Sequence, residues 1–313
     1  VEAIVDEPGT VVLSGRYFQD VAKKMPGDTV SLATSSEDRT IQITSNQAKF
    51  NLLSFPPEEF PVLKEITSDT AITIKDEVLR ELIRKTVFAC STDEARPIFT
   101  GCLLEIEGSE VVMVATNTHR LAIKKHMMND FSGKIKIIIP AKILNEVARS
   151  LNYEEPLDVK IYCTKNQVVF TFDDVYMVSR LIEGQFPDYK KVVPPSFATN
   201  ARLKTAEFAD AVERVSLLAR EGDYNIIILA FKSDSVTISS NNPDVGKACE
   251  TVPAIVEGED IEIAFNSRYV TDILRNLAGE ELLFSLNTPL SSASIKSIAD
   301  EDYNYILTPI RTS

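Results

Sequence analysis

The chain is poor in the residues that most catalytic chemistry requires. It has two histidines, His119 and His126. Neither falls in HExxH or another metal-ligand spacing, so no metal site is indicated. The 11 glycines form no GxxxxGK(S/T), GxGxxG or GxSxG arrangement, and nucleotide hydrolysis and serine-type acyl transfer therefore lack their usual equipment. Carboxylates are many but scattered, with no pair marked out for hydrolysis or two-metal work. No cofactor is expected. The four cysteines, Cys90, Cys102, Cys163 and Cys249, show no CxxC pair and no disulfide-framework spacing. That fits a reducing compartment, and a cytoplasmic location is expected. No apolar run approaches the length needed to cross a bilayer, so no membrane partner is expected. The chain opens on Val1 rather than Met, without the charged start and apolar core of a signal peptide, and a shortened chain is the expectation.

What is present suits ordinary globular packing. The 313 residues are 44% apolar with 15 prolines, enough for two or three domains with real cores. With 33 basic against 46 acidic residues the formal charge is −13. This argues against indiscriminate adhesion to nucleic acid, whose phosphates must be neutralised by Lys and Arg. Much of the acid sits in loop-like stretches such as Glu58-Glu59 and Glu257-Gly258-Glu259-Asp260, so the field is split by surface.

The dominant pattern is a threefold repeat. Three ten-residue stretches starting at Arg16, Lys142 and Arg268 lie 126 residues apart. Each reads basic, apolar, apolar, polar, acidic, apolar, apolar, basic, any, apolar. At 100° per residue the apolar positions, Tyr17, Phe18, Val21, Ala22 and Met25 in the first copy, form a core stripe on one side of a helix. The basic pairs Arg16 and Lys23, Lys142 and Arg149, and Arg268 and Arg275 fall seven residues apart on the opposite face, roughly 10 Å apart along the axis. Exposed helix faces usually carry Lys and Arg, and for one helix that account would suffice. Three copies in register weaken it.

The repeat extends outwards. Phe60-Pro61 corresponds to Phe186-Pro187, again 126 residues on. Alternating runs such as Val30 to Thr34 and Ile41 to Thr44 read as half-buried antiparallel strands. A second kind of helix is expected midway, at about Asp76 to Phe88 and Ala206 to Leu218. The unit is thus a helix plus a small sheet, used five times, with about 60 residues of the pattern lacking before the first copy.

One segment stands apart: Ala115-Thr116-Asn117-Thr118-His119-Arg120-Leu121-Ala122. It resembles the Ala-Thr-Asp-Gly-His-Arg-Leu-Ala signature of the bacterial sliding clamps, the beta subunit of DNA polymerase III. Arg96-Pro97-Ile98-Phe99-Thr100-Gly101 looks like the family's preceding segment. Gly184-Gln185-Phe186-Pro187-Asp188-Tyr189 looks like its interdomain FPDY, and Ile306-Leu307-Thr308-Pro309-Ile310-Arg311 like its C-terminal tail. The likeness covers the whole chain, in the family's order, beginning midway through the family's first domain.

The resemblance implies an α+β fold of three repeated clamp domains, with helices lining a pore and antiparallel sheets outside, the first domain being incomplete. The boundaries fall at 1–65, 66–193 and 194–313. It implies a non-catalytic processivity factor that encircles double-stranded DNA without reading sequence. Replicative DNA polymerase, clamp loader and repair proteins would dock through short peptide motifs, and a homodimer is expected for the full-length chain. Combined with the helix periodicity, it assigns Arg16, Lys23, Arg80, Arg84, Lys142, Arg149, Arg268 and Arg275 to the DNA-facing surface. Carried over by motif, the peptide pocket comprises Phe99, Thr116, His119, Arg120, Leu121, Pro187, Lys191, Val192, Ile306, Leu307, Pro309, Ile310 and Arg311. The dimer interface would place Phe50 and Leu52 of one subunit opposite Thr251 and Val252 of another. Thr118 stands where the family has Gly, Lys191 where some members have Arg, and Thr308 where Met is common; the added Thr118 side chain is expected to narrow the pocket. Two other classes remain open on the residues alone: a divalent-metal-dependent nucleic-acid enzyme and a repeat scaffold indifferent to DNA.

Overall fold

The computed structural model describes residues 2–35, 39–60, 71–128, 133–151, 155–219 and 225–311. Five α-helices form among them: α1 (Gly15–Ala22), α2 (Asp76–Thr86), α3 (Ala141–Ser150), α4 (Thr205–Ala219) and α5 (Ser267–Asn276). The repeat is therefore structural, since α1, α3 and α5 begin 126 residues apart. Local chemistry sets the ends. Helix α2 has Asp76 and Glu77 in its first turn and Arg84 and Lys85 in its last, each sign matched to the helix dipole. Helix α5 is capped by the Asn266 side chain, which accepts from the Arg268 amide at 3.0 Å and so satisfies an orphan donor.

The chain divides into two compact units, Val1–Glu65 and Ile66–Ser313. In the first, strands Val12–Leu13, Ala48–Phe55, Thr40–Ser45 and Ser31–Ser35 form an antiparallel sheet in that spatial order. Its core is small, built around Ile41 and Ile43, which face Leu52 and Phe50 across the ladder. Here the expected core stripe needs correction. No residue of α1 is buried; Tyr17 is 63% exposed, Ala22 is exposed, and Phe18, Val21 and Met25 are half-buried. Among the described residues of this unit, α1 has neither a second helix nor a second sheet to close over its apolar stripe.

The second unit supplies both. Helices α2 and α3 pack together, as do α4 and α5, and each pair is held between sheets. One four-stranded sheet runs Val175–Arg180, Gln167–Phe172, Asp158–Cys163, Ala71–Lys75. Another runs Gly246–Pro253, Ser235–Asn242, Ile226–Lys232, Ile261–Asn266. The apolar stripes here are buried: Leu79, Leu82 and Ile83 of α2, Leu144 and Val147 of α3, Phe208, Ala211, Val212 and Val215 of α4, and Val270, Ile273 and Leu274 of α5. Burying such side chains is worth roughly 1.5–3 kcal/mol each.

The separate small sheets expected for each helix are corrected in one respect. Two of them fuse into a nine-stranded antiparallel sheet, because Arg120–Met127 pairs with Tyr303–Leu307 in the register Leu307↔Arg120 to Tyr303↔Lys124. The joined edges no longer present unpaired backbone. One face of this sheet contributes to the helix-filled core. The other carries a smaller cluster, with Leu103, Val112, Val114, Leu121, Ile123, Ile138 and Ile306 beneath Phe186 and Tyr189. The boundary read at 65/66 lies outside the described residues.

Candidate functional site

The segment Ala115 to Ala122 is a tight hairpin between strands Glu110–Thr116 and Arg120–Met127. Asn117 Oδ1 accepts from the amides of His119 (3.0 Å) and Arg120 (3.1 Å). Thr116 Oγ1 accepts from the Thr118 amide at 3.0 Å and donates to the Arg120 carbonyl at 2.6 Å. These local bonds let short polar side chains stand in for ladder bonds. They force Thr118 to φ +78°, a left-handed conformation that a β-branched residue adopts only under strain. The Thr308 amide donates to the His119 carbonyl at 2.9 Å, tying the turn to the end of the next strand.

Leu121 and Ile306 sit opposite each other across the fused ladder and form an apolar floor. A non-regular segment crosses above them. The Ile182 amide bonds to the Ile138 carbonyl at 2.9 Å, buried Phe186 meets Phe99 edge-on with centroids 6.5 Å apart, and the Tyr189 hydroxyl donates to Glu105 Oε2 at 2.8 Å. Partial burial opposes ionisation of Glu105, but the Tyr189 hydroxyl and the Lys136 ammonium outweigh it and hold the carboxyl below its usual range. Burial and that carboxylate push the Tyr189 hydroxyl up. So anchored, the segment frames a cavity of about 220 Å³ lined by Phe99, Thr116, Thr118, Arg120, Leu121, Phe186, Pro187, Tyr189, Val192, Ile306 and Thr308. Its lining is predominantly apolar with hydroxyls at intervals, as expected of a pocket for apolar side chains of a ligand.

Arg120 does different work. It is 8% exposed, and its Nη1 reaches Asp272 Oδ2 of α5 at 2.5 Å while Nη2 donates to the Phe88 carbonyl. The guanidinium lies over the Tyr269 ring, 4.5 Å from its centroid. It thus joins the Arg120 strand and the end of α2 to α5, with one edge left at the cavity. Arg120 also borders a second, polar cavity of about 350 Å³, lined besides by Cys90, Ser91, Thr92, Arg96, Asn117, His119 and Tyr269.

Seven residues of the pocket read from the sequence line the apolar cavity: Phe99, Thr116, Arg120, Leu121, Pro187, Val192 and Ile306. His119 lines the polar cavity instead and stacks on Tyr269. Leu307 is corrected: strand alternation turns it to the opposite face, where it is fully buried in the helix-side core. Lys191 is exposed and pairs with Asp188 at 3.1 Å. Pro309, Ile310 and Arg311 run on beyond the cavity, with the Ile310 amide bonded to the Ala264 carbonyl at 2.8 Å. Phe186 and Tyr189 of the FPDY-like motif also line the cavity, although neither is among the residues expected there; so do Thr118, expected to narrow the pocket, and Thr308, expected only as a departure from the family pattern.

Of the cations, Arg16, Lys23, Arg84, Lys142, Arg149, Arg268 and Arg275 are exposed. Arg149 pairs with Glu146 and Arg275 with Glu213. Arg80 is half-buried and donates to the Leu151 carbonyl at 3.2 Å, capping the end of α3. Thr251 and Val252 lie on Gly246–Pro253, an edge strand. Thr251 is exposed while Val252 is 6% exposed. Phe50 is 46% exposed and Leu52 half-buried. Among the described residues their stretch of strand pairs on one side only, since Val12–Leu13 meets that strand at Ser54 and Phe55.

Family models described as the N-terminal, central and C-terminal domains of the DNA polymerase III beta subunit match residues 1–64, 73–188 and 190–311. All three domains are therefore represented, and the expectation of a missing first half-domain gains no support. The chain is 37% identical to the beta sliding clamp of Staphylococcus aureus over 309 residues, covering 98% of this chain and 81% of that protein. The sliding clamp structure from Bacillus subtilis superposes with a TM-score of 0.92 at 36% identity, over 98% of this chain and 81% of the other. The beta subunit structure from Thermotoga maritima gives a TM-score of 0.89 at 26% identity, over 99% and 84%. A Pseudomonas aeruginosa sliding clamp bound to griselimycin gives 0.89 at 29% identity, over 98% and 82%. With three sheet-and-helix domains, a repeat of 126 residues and these likenesses in agreement, the chain belongs to the bacterial DNA polymerase III beta subunit family, the beta sliding clamps.

Proposed function

We propose that the chain serves as a non-catalytic processivity clamp whose peptide-docking site is the apolar cavity above Leu121 and Ile306. One observation carries this reading: four separated stretches, around Phe99, Thr116 to Leu121, Phe186 to Val192 and Ile306 to Thr308, converge on a single cavity of about 220 Å³. A short linear segment of replicative polymerase, clamp loader or repair protein would place its apolar side chains there. The Pseudomonas clamp described with griselimycin shows that a relative takes a ligand. Exposed cations on α1, α2, α3 and α5 would face DNA phosphates, giving sequence-independent and salt-sensitive contact. The one-sided stretch at Phe50 and Leu52 and the edge strand bearing Thr251 and Val252 would join subunits head to tail by strand pairing. Domains at 1–65, 66–193 and 194–313 and a cytoplasmic setting complete the reading.

The peptide site is tested by fluorescence anisotropy with a labelled peptide from the organism's replicative polymerase. Val192 lines the cavity and is 49% exposed, so Val192→Glu is expected to weaken binding at least tenfold without disturbing the fold. Unchanged affinity in a protein of unchanged circular dichroism would refute the site.

A further inference from the structure

Cys90 and Cys102 are neighbours in space, their sulfurs 3.6 Å apart. Cys90 follows the short 3-10 turn Val87–Ala89 at the end of α2, is half-buried, and borders the polar cavity of about 350 Å³. Cys102 lies behind it on Gly101–Gly108 and is fully buried. One thiol is thus reachable through a cavity large enough for a small polar oxidant, and the second is in contact with the first and shielded from solvent. A disulfide requires a sulfur separation of about 2.0 Å. Cys90 sits between a single 3-10 turn and the non-regular stretch Ser91 to Arg96, with its amide bonded to the Val87 carbonyl at 3.1 Å and the Ser91 amide to the Phe99 carbonyl at 2.7 Å, so closure falls to a shift of the two side chains. The other two cysteines, Cys163 and Cys249, belong to different strands, Asp158–Cys163 and Gly246–Pro253.

We propose that Cys90 and Cys102 form a redox modification site, closing to an intramolecular disulfide on exposure to a hydroperoxide. The Cys90 thiol gives up its proton and its sulfur attacks the terminal peroxide oxygen; the O–O bond breaks, an S–O bond forms, and the departing oxygen takes up that proton and leaves as alcohol or water. Sulfur is oxidised by two electrons to Cys90 sulfenic acid and the peroxide is reduced by two. The Cys102 sulfur then attacks Cys90; the S–O bond breaks, the S–S bond forms, and the Cys102 proton departs with the hydroxyl as water. Arg96 and His119 also line this cavity, with Arg96 Nε bonded to Asp93 at 3.0 Å. Cys102 is fully buried behind Cys90 and does not line the cavity, so it resolves rather than initiates; contact with the Cys90 sulfur, together with burial, also holds its thiol well above the usual range. In a reducing cytosol such a bond is transient, the form that redox-responsive intracellular disulfides take.

The test uses the whole chain carrying Cys163→Ser and Cys249→Ser, treated with hydrogen peroxide and digested without reductant. The expected result is a peptide pair joined through Cys90 and Cys102, lighter by two hydrogens and separated by dithiothreitol. Cys102→Ser should then leave Cys90 as a sulfenic acid that dimedone traps, and Cys90→Ser should leave Cys102 unmodified. Oxidation of Cys90 to sulfinic acid without cross-linking in the protein that retains both thiols would overturn the proposal. So would an unreactive Cys90 under conditions in which the wild-type Cys249 is oxidised.

Discussion

Replacing Arg120 with Met should loosen the contact between the Arg120 strand and α5, and its size can be worked from the contacts. Met keeps most of the apolar stem, so the loss falls on the guanidinium. The bond to Asp272 is charge-assisted and short at 2.5 Å, a type worth about 1.5–3 kcal/mol. The Asp272 side chain is 37% exposed, so water takes up part of its charge and the lower end applies. The Phe88 carbonyl loses its donor, and stacking on Tyr269 at 4.5 Å contributes about 1 kcal/mol. These terms overlap, and the expected loss is about 3 kcal/mol. Urea unfolding followed by circular dichroism, run as a double-mutant cycle with Asp272→Asn, isolates the pair. A coupling of about 1–1.5 kcal/mol is expected. A coupling below about 0.3 kcal/mol would show that Arg120 and Asp272 are merely adjacent, and would refute the bridging role.

Lys85→Met should be neutral or stabilising by about 1 kcal/mol at neutral pH, because Lys85 is 1% exposed with no hydrogen-bond partner for Nζ, while Asp300 keeps its closer ion pair with Lys124 at 2.7 Å. Burial lowers the Lys85 pKa from 10.5, with Asp300 opposing. The unfolded chain therefore holds the proton more tightly, and wild-type stability from this group rises as pH climbs toward 10.5. The advantage of the Met variant should shrink over the same interval in thermal melts, and a constant advantage would contradict the assignment. Thr118→Gly should relieve the left-handed strain at φ +78°, a relief of about 1–2 kcal/mol offset by about 0.5–1 kcal/mol of glycine entropy, and raise the melting temperature slightly; a clear fall would place a stabilising contact on the Thr118 side chain. Lys142→Glu and Arg268→Glu should weaken DNA binding across all sequences and flatten its salt dependence by about one unit of slope per lost phosphate contact, measured by titration at several salt concentrations; an unchanged slope would remove these residues from the DNA face.

The sequence was most informative where one element carries its own period. Leu144 and Val147 in α3 and Val270, Ile273 and Leu274 in α5 are buried as helical spacing requires. The identical spacing in α1 predicted a stripe that is not buried, because periodicity says which residues share a face and not whether anything covers it. The candidate site was legible as motifs but not as a surface. The tail motif carries both Ile306 and Leu307 into the pocket, although adjacent strand residues point to opposite faces. Tyr189 is not marked by any motif role, yet its hydroxyl bond to Glu105 helps hold the roof of the cavity. That bond spans residues far apart in the chain, and no local pattern announces it.

The sequence by itself determined the repeat of 126 residues, the helices that obey it and the placement of cations away from the apolar stripes, because each depends on residues within a few turns of one another. Tertiary structure alone decided that two sheets fuse through Arg120–Met127 and Tyr303–Leu307, that Arg120 turns to Asp272 rather than wholly to a ligand, and that Cys90 meets Cys102. The physical reason is the same in each case. Strand edges, buried charges and thiols are satisfied by whatever the fold brings within a few ångströms, and that depends on the register of elements distant in the chain.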